Sequence, residues 1–248
     1  HLRPNYQTYH YVDPRALTTL VNSYTVANTL DVGVQTGFAF SQANVLKSFA
    51  AAQTTSTYNP GFGLNVGALF EYHLHPRFSI ISDPNLNSMS YEQELYNVAG
   101  SHKRYSEIIT TLEAPLIARG YVHARKWHIF GQAGVQHSIW INSFADVQST
   151  SYGDGSVLQS STETTDYRVK GMSGFQFGLG FNRLVGDATL SITMRYKNFL
   201  PNVVVPEKRY DDEDFILSSQ YIDSDFNLRS VGCSIGFQWP FLYSVKKK

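Results

Sequence analysis

Between Pro60 and Leu74, the residues Phe62, Leu64, Val66, Ala68, Phe70, Tyr72 and Leu74 alternate with Gly61, Gly63, Asn65, Gly67, Leu69, Glu71 and His73. A strict period of two puts one continuous apolar face on an extended strand. The run is long enough to cross a bilayer, for which a tilted strand needs roughly 9–11 residues. The opposite face is Gly, Asn, Glu and His, with only Leu69 out of pattern. A soluble sheet would favour Thr, Lys and Ser on its watery face, whereas small and polar residues crowded together suit the narrow interior of a small closed barrel. The pattern predicts an all-β fold, a transmembrane β-barrel.

Composition supports this and excludes rivals. Charged residues make up 16% of the 248, below the roughly 25% of an ordinary soluble domain. Aromatics reach 14%, while the mean hydropathy of −0.24 stays mildly polar. A helical membrane protein would need apolar runs of about 20 residues, and none is present. A barrel needs only every second residue to be apolar, so its average hydropathy looks soluble. The formal net charge is zero and no basic stripe appears, which argues against a nucleic-acid partner. The single cysteine, Cys233, cannot form an internal disulfide and is not placed to carry an N-terminal lipid; on an apolar strand face it acts as a small hydrophobe. The start at His1 without Met is that expected of a mature secreted protein.

Eight strand-like segments follow along the chain: about Thr29–Ser41, Pro60–Leu74, Phe78–Ser82, Tyr105–Ala118, Trp127–Ile141, Val169–Arg183, Asp187–Tyr196 and Phe226–Trp239. The fifth has the least regular alternation. Connections alternate between long (Gln42–Asn59, Asp83–Arg104, Asn142–Arg168, Lys197–Asp225) and short (His75–Arg77, Arg119–Lys126, Leu184–Gly186). All long ones then fall at one end of an eight-stranded antiparallel up-and-down barrel, the arrangement of outer-membrane barrels with long outer loops and short periplasmic turns. A soluble lipocalin-like barrel would have no reason to sort its loops and would leave its glycines facing water. An even strand number places both termini in the periplasm. The expected organisation is an N-terminal periplasmic arm over residues 1–28, a barrel over 29–239 and a periplasmic tail over 240–248. The arm holds Tyr6, Tyr9 and Tyr11, with a helix start signalled at Asp13–Pro14.

The stretch Pro60-Gly61-Phe62-Gly63-Leu64-Asn65-Val66-Gly67, followed by Leu74-His75-Pro76-Arg77-Phe78-Ser79-Ile80, resembles the second hairpin of the PorT-like, porin-family outer-membrane barrels. Leu112-Glu113-Ala114-Pro115-Leu116 is similar to that family's "LEIPL" strand, Arg119 stands where a basic residue is frequent, and Gly131–Gly134 matches its "AG" strand. In the first strand, Asp31–Phe38 keeps only the family's glycine pattern. The resemblance implies an OmpX/OmpA-like eight-stranded barrel in the outer membrane of Bacteroidota-type bacteria. Some members of that family belong to the type IX secretion and gliding machinery.

On strand parity Glu71, His73, Glu107, Glu113, Asp187 and Arg195 point inward. Buried carboxylates require partners, so Glu71, His73, Glu113 and Arg195 are expected to form a polar network that closes the lumen. Phe70, Phe177, Ile192 and Ile235, each in an unbroken apolar set, are expected to face lipid. A lipid deacylase would need Ser, His and an acid aligned on the outer wall; the nearest candidate, His137–Ser138, points to opposite faces. The acidic run Asp211-Asp212-Glu213-Asp214 lacks a spaced calcium-loop pattern, and Ser149–Gly155 reads as a mobile polar loop. The expectation is a barrel without catalytic residues, metal or cofactor. Its partners would be outer-membrane lipid and proteins of the outer membrane or periplasm, with the Tyr6, Tyr9 and Tyr11 arm as contact surface. A free-standing structural or adhesive barrel is the alternative, and a lipid-modifying enzyme the weaker one.

Overall fold

Wherever the sequence alternates, the chain is extended and paired antiparallel. The computed structural model describes residues 24–49, 54–97, 101–124, 127–151, 153, 155–209, 211 and 223–247. Its strands are β1 (Tyr24–Lys47), β2 (Thr54–His75), β3 (Phe78–Ser82), β4 (Asn85–Asn97), β5 (Ser101–Ala124), β6 (Trp127–Ser151), β7 (Val157–Glu163), β8 (Gly171–Val185), β9 (Ala188–Phe199) and β10 (Asp225–Lys247). β3 and β4 together make one stave of the wall: both pair with β2 and β5, and the break falls at Asp83–Pro84, where proline has no N–H to give the ladder. β7 pairs with the end of β6 beyond the reach of β8. The ring therefore has eight staves, closed where β1 pairs with β10 from Tyr24↔Lys247 to Lys47↔Asp225.

The short connections are tight turns. At Val185–Ala188, Gly186 has φ +63°, a conformation that L side chains rarely adopt. Close approach constrains another glycine: a Cβ on Gly63 would lie 1.9 Å from the Ser88 carbonyl oxygen.

The strands run well past the expected segments. β5 has 24 residues; at about 3.3 Å per residue and a tilt near 40° it rises about 60 Å, more than twice the roughly 25 Å apolar band of an outer-membrane barrel. Three expected loops are thus largely wall. β1 and β2 extend into Gln42–Asn59, β4 occupies most of Asp83–Arg104, and β6 and β7 form a hairpin inside Asn142–Arg168 that turns at Gly155, φ +68°. At the other end, β1 begins at Tyr24, inside the expected arm, and β10 continues to Lys247, through the expected tail. Residues 1–23, including Tyr6, Tyr9, Tyr11 and the Asp13–Pro14 helix signal, lie outside the described residues, as do Asp212–Asp214.

Two storeys result, with opposite polarity. Near the short turns, Val34, Phe38, Phe70, Leu116, Phe177 and Phe237 face out and Gln35, Glu71, Arg119, Gln132, Ser191 and Gln238 face in. Toward the long connections the faces invert: Gln42, Thr57, Arg104, Asp146 and Gln148 point outward, while Ala43, Met89, Tyr91, Ile109, Trp140, Val147, Phe199, Phe226 and Leu228 pack inside. The first storey is built for lipid outside, the second for water outside. β6 changes parity between them through a bulge: Thr110 pairs with Asn142 and Thr111 with Trp140, leaving Ile141 extra. The irregular alternation of the expected Trp127–Ile141 segment has a different origin: Phe130 and Trp140 face inward, and Gly131 and His137 face outward.

Charge placement should separate the storeys. Phe177→Arg, within the apolar band, is expected to cost roughly 2–4 kcal/mol, whereas Gln148→Arg on the outer face of the second storey should change stability by at most about 0.5 kcal/mol. Denaturant unfolding of the barrel in phospholipid vesicles measures both.

Candidate functional site

The lumen holds the charged groups, arranged in clusters along its height. Nearest the short turns, Glu71 is fully buried and accepts four hydrogen bonds. Ser79 Oγ donates to its Oε1 (2.5 Å) together with the Tyr121 hydroxyl, and Arg119 Nη1 (3.1 Å) and Gln238 Nε2 (2.9 Å) donate to Oε2. Arg119 also donates from Nε and Nη2 to Gln132 Oε1 (3.1 and 2.9 Å), and its guanidinium lies 3.9 Å over the Phe130 ring. His73, half-buried, has Nε2 3.2 Å from Asp31 Oδ2 and 3.8 Å from Glu71 Oε1. Six strands meet here, so the carboxylate and guanidinium satisfy each other where neither could be buried alone.

Higher in the lumen, Arg195 forms an ion pair with Asp83 and donates to Gln35 Oε1 (3.1 Å), while Gln35 donates to Asp83 Oδ2 (2.8 Å). Lys197 Nζ reaches across from β9 to Glu113 Oε2 on β5 (2.5 Å), and Asn87 donates to Glu113 Oε1 (2.9 Å). Glu71 and Glu113 thus belong to different clusters.

The second storey is closed by chain that folds back into it. Val203 and Val204 are fully buried, held by strand-like bonds from Val169 N to Val203 O (2.9 Å), Val203 N to Phe226 O (2.8 Å) and Val205 N to Tyr167 O (3.0 Å). Beside them Arg168 donates to Glu107 through Nε (2.9 Å) and Nη2 (2.7 Å), and to Asp223 Oδ2 through Nη1 (2.7 Å). Tyr91 (2.5 Å), Tyr105 (3.0 Å) and Thr164 (2.6 Å) also donate to Glu107. Burial works against the Arg168 charge, but Asp223 and Glu107 outweigh it and hold its pKa above the ordinary arginine value.

The structure therefore places Glu71, Glu107, Glu113 and Arg195 inside and His73 at the edge of the first cluster. Asp187 departs from its parity: it is exposed in the Val185–Ala188 turn. Phe70, Phe177 and Ile235 are exposed on the outer wall. Ile192 is half-covered on that face between its cross-strand neighbours Phe181 and Ile235. Four partners were missed in the sequence. Arg119 and Lys197 continue the inward parity of Glu113 and Arg195, so their positions were readable. Asp83 continues the inward phase of Ser79 and Ile81 one residue past the end of β3, whereas Arg168 carries no periodic signal, because the fold of irregular chain brings it in.

Ser138 is buried inside and His137 exposed outside, so they form no pair. His137 Nδ1 instead lies 3.0 Å from Ser173 Oγ on β8. Among the described residues no carboxylate hydrogen-bonds this histidine, so a third member to orient it for acyl transfer is lacking.

A ring of eight staves, apolar outside and ion-paired inside, defines the class: a transmembrane β-barrel with a filled lumen. The model of the outer membrane protein beta-barrel domain family matches residues 22–197, and the chain belongs to that family. No curated protein matches the chain. Among solved structures it is similar to the outer membrane protein OprG from Pseudomonas aeruginosa, at 12% identity over 87% of this chain and 97% of that one, TM-score 0.44. Neisserial surface protein A has 14% identity over 85% and 97%, TM-score 0.37. Ail, the attachment invasion locus protein of Yersinia pestis, has 10% identity over 84% and 98%, TM-score 0.32.

Arg119→Met and Glu71→Leu should each cost about 3–5 kcal/mol, because each leaves a buried charge unpaired. The double variant should cost well under the sum. A double-mutant cycle in vesicles measures the coupling.

Proposed function

We propose that this chain is a non-conducting, non-catalytic outer-membrane barrel that works by binding, with the second storey displayed at the cell surface and both termini in the periplasm. One observation carries this reading: the lumen is occupied along its height, by ion clusters in the lipid-facing storey and by an apolar core with inserted chain in the other. A pore needs an open path, and eight strands enclose little more than their own side chains. What is left for interaction is the outer surface. The second storey is polar outside and packed inside, so it holds a defined surface in water.

The finer proposal is a subunit of an envelope assembly associated with type IX secretion or gliding. The motifs at Pro60–Gly67 and Leu112–Leu116 favour it, with the Tyr6, Tyr9 and Tyr11 arm as a periplasmic contact. A free-standing barrel with a structural or adhesive role is equally served by the second storey. Recovery of a stoichiometric envelope partner after cross-linking in native membranes would favour the assembly; a barrel recovered alone would favour the free-standing role.

In a Cys233→Ala background, a cysteine at Gln148 should react with a membrane-impermeant reagent on intact cells and one at Arg77 should not. The purified barrel should add no ohmic conductance to planar bilayers. Labelling at Arg77 alone would reverse the topology, and large, stable conductance would defeat the closed-lumen reading.

A further inference from the structure

One stretch of the second storey departs from its polar exterior. On β5 and β6, Ile108 and Phe144 pair across the ladder and point outward, 55% and 53% exposed. Their inward neighbours Glu107 and Ala145 are buried in the packed interior of that storey. The β6 bulge adds Ile141 to the same outer face, and Ile139 and Leu112 join it to the lipid-facing wall below. All five side chains are exposed, so an apolar strip two strands wide climbs from the first storey into the second. It stops at the next outward pair, Ser106 and Asp146. The ladder neighbours on either side are polar: Ser90 on β4 stands beside Ile108, and Glu163 on β7 beside Phe144.

Lipid does not account for the strip. Hydrocarbon deep enough to cover Ile108 and Phe144 would also bury the exposed Glu163 carboxylate on the next strand, a costly arrangement. A contiguous apolar strip left in water marks a contact site, and an apolar span taller than the bilayer favours association. The strip is also complementary to itself. Outward residues on β5 alternate large and small, as Ile108, Thr110, Leu112, Ala114 and Leu116, so Thr110 and Ala114 leave hollows. On β6 the bulge puts Ile141 level with Thr110, between Ile139 and Phe144. Two copies inserted in the same direction, related by a two-fold axis along the membrane normal, keep every residue at its own height. With that axis between β5 and β6, β5 of one copy lies against β6 of the other. Ile108 then meets Phe144, and Ile141 enters the hollow at Thr110.

We infer that the outer face of β5 and β6, over Ile108–Leu112 and Ile139–Phe144, is a contact surface for a second copy of this chain, giving a parallel two-fold dimer in the membrane. The rest of the second storey keeps its surface in water, so this stands independently of the binding role proposed above.

The test is energy transfer between donor-labelled and acceptor-labelled copies of the full chain, mixed in phospholipid vesicles at high lipid excess. In a Cys233→Ala background, Arg77→Cys carries the label in the exposed short turn, away from the strip. Transfer severalfold above random mixing is expected, and Ile108→Thr combined with Phe144→Thr should lower it to the random level. Threonine keeps the strand preference at these exposed positions, and circular dichroism checks that the variant is folded. Independently, in the same Cys233→Ala background with Arg77 retained, Thr110→Cys, beside the axis, should give a disulfide-linked dimer on oxidation. Gln42→Cys, exposed on the far side of the ring, should not. Random-level transfer with Ile108 and Phe144 in place would overturn the inference, as would transfer that survives their replacement. Cross-linking that is absent at Thr110→Cys, or stronger at Gln42→Cys, would overturn it equally.

Discussion

Closure of the sheet is the constraint on which everything else rests. In hydrocarbon no water is available for a free backbone N–H or C=O, so a strand edge cannot be left open. β1 and β10, from opposite ends of the chain, meet this demand by pairing along nearly their whole length. Closing the ring at eight strands also fixes the width of the lumen. That width decides the chemistry inside. Side chains from strands far apart in sequence reach one another, as Lys197 reaches Glu113 and Gln238 reaches Glu71.

Buried charge is tolerated because each carboxylate in the first storey meets a cation and neutral donors at once. Glu71 has Arg119 together with Ser79, Tyr121 and Gln238; Asp83 has Arg195 and Gln35; Glu113 has Lys197 and Asn87. Such clusters are not a strong source of stability, since desolvation offsets much of their Coulomb energy. They do specify register. A one-residue slip of β5 would swing Glu113 and Arg119 into the lipid and put Leu112 and Ala118 inside. The second storey achieves the same closure with apolar packing, because water surrounds it and the hydrophobic effect again points inward.

Much of the fold was legible because a membrane wall writes itself into the sequence. Seven outward apolar residues of β2 alternate without interruption, and parity from Glu113 and Arg195 places those side chains in the lumen. The second storey escaped because its alternation is reversed. In Asn85–Asn97 the apolar Met89, Tyr91 and Leu95 face inward, and a search for outward apolar residues finds only a polar loop. The bulge at Ile141 hid the rest of β6, up to Ser151, in the same way, since one extra residue exchanges the two faces beyond it.

The sequence by itself determined that strands cross a membrane, how many there are, and which face of each meets lipid, since these follow from local periodicity and the solvent on each side. The pairings inside were decided only by the tertiary structure. Arg168 meets Glu107 and Asp223 across separations of 61 and 55 residues, and Asp83 meets Arg195, 112 residues further along the chain, across the lumen. No periodic signal in the chain encodes a contact made by irregular segments folding into a lumen whose width exists only once the ring has closed.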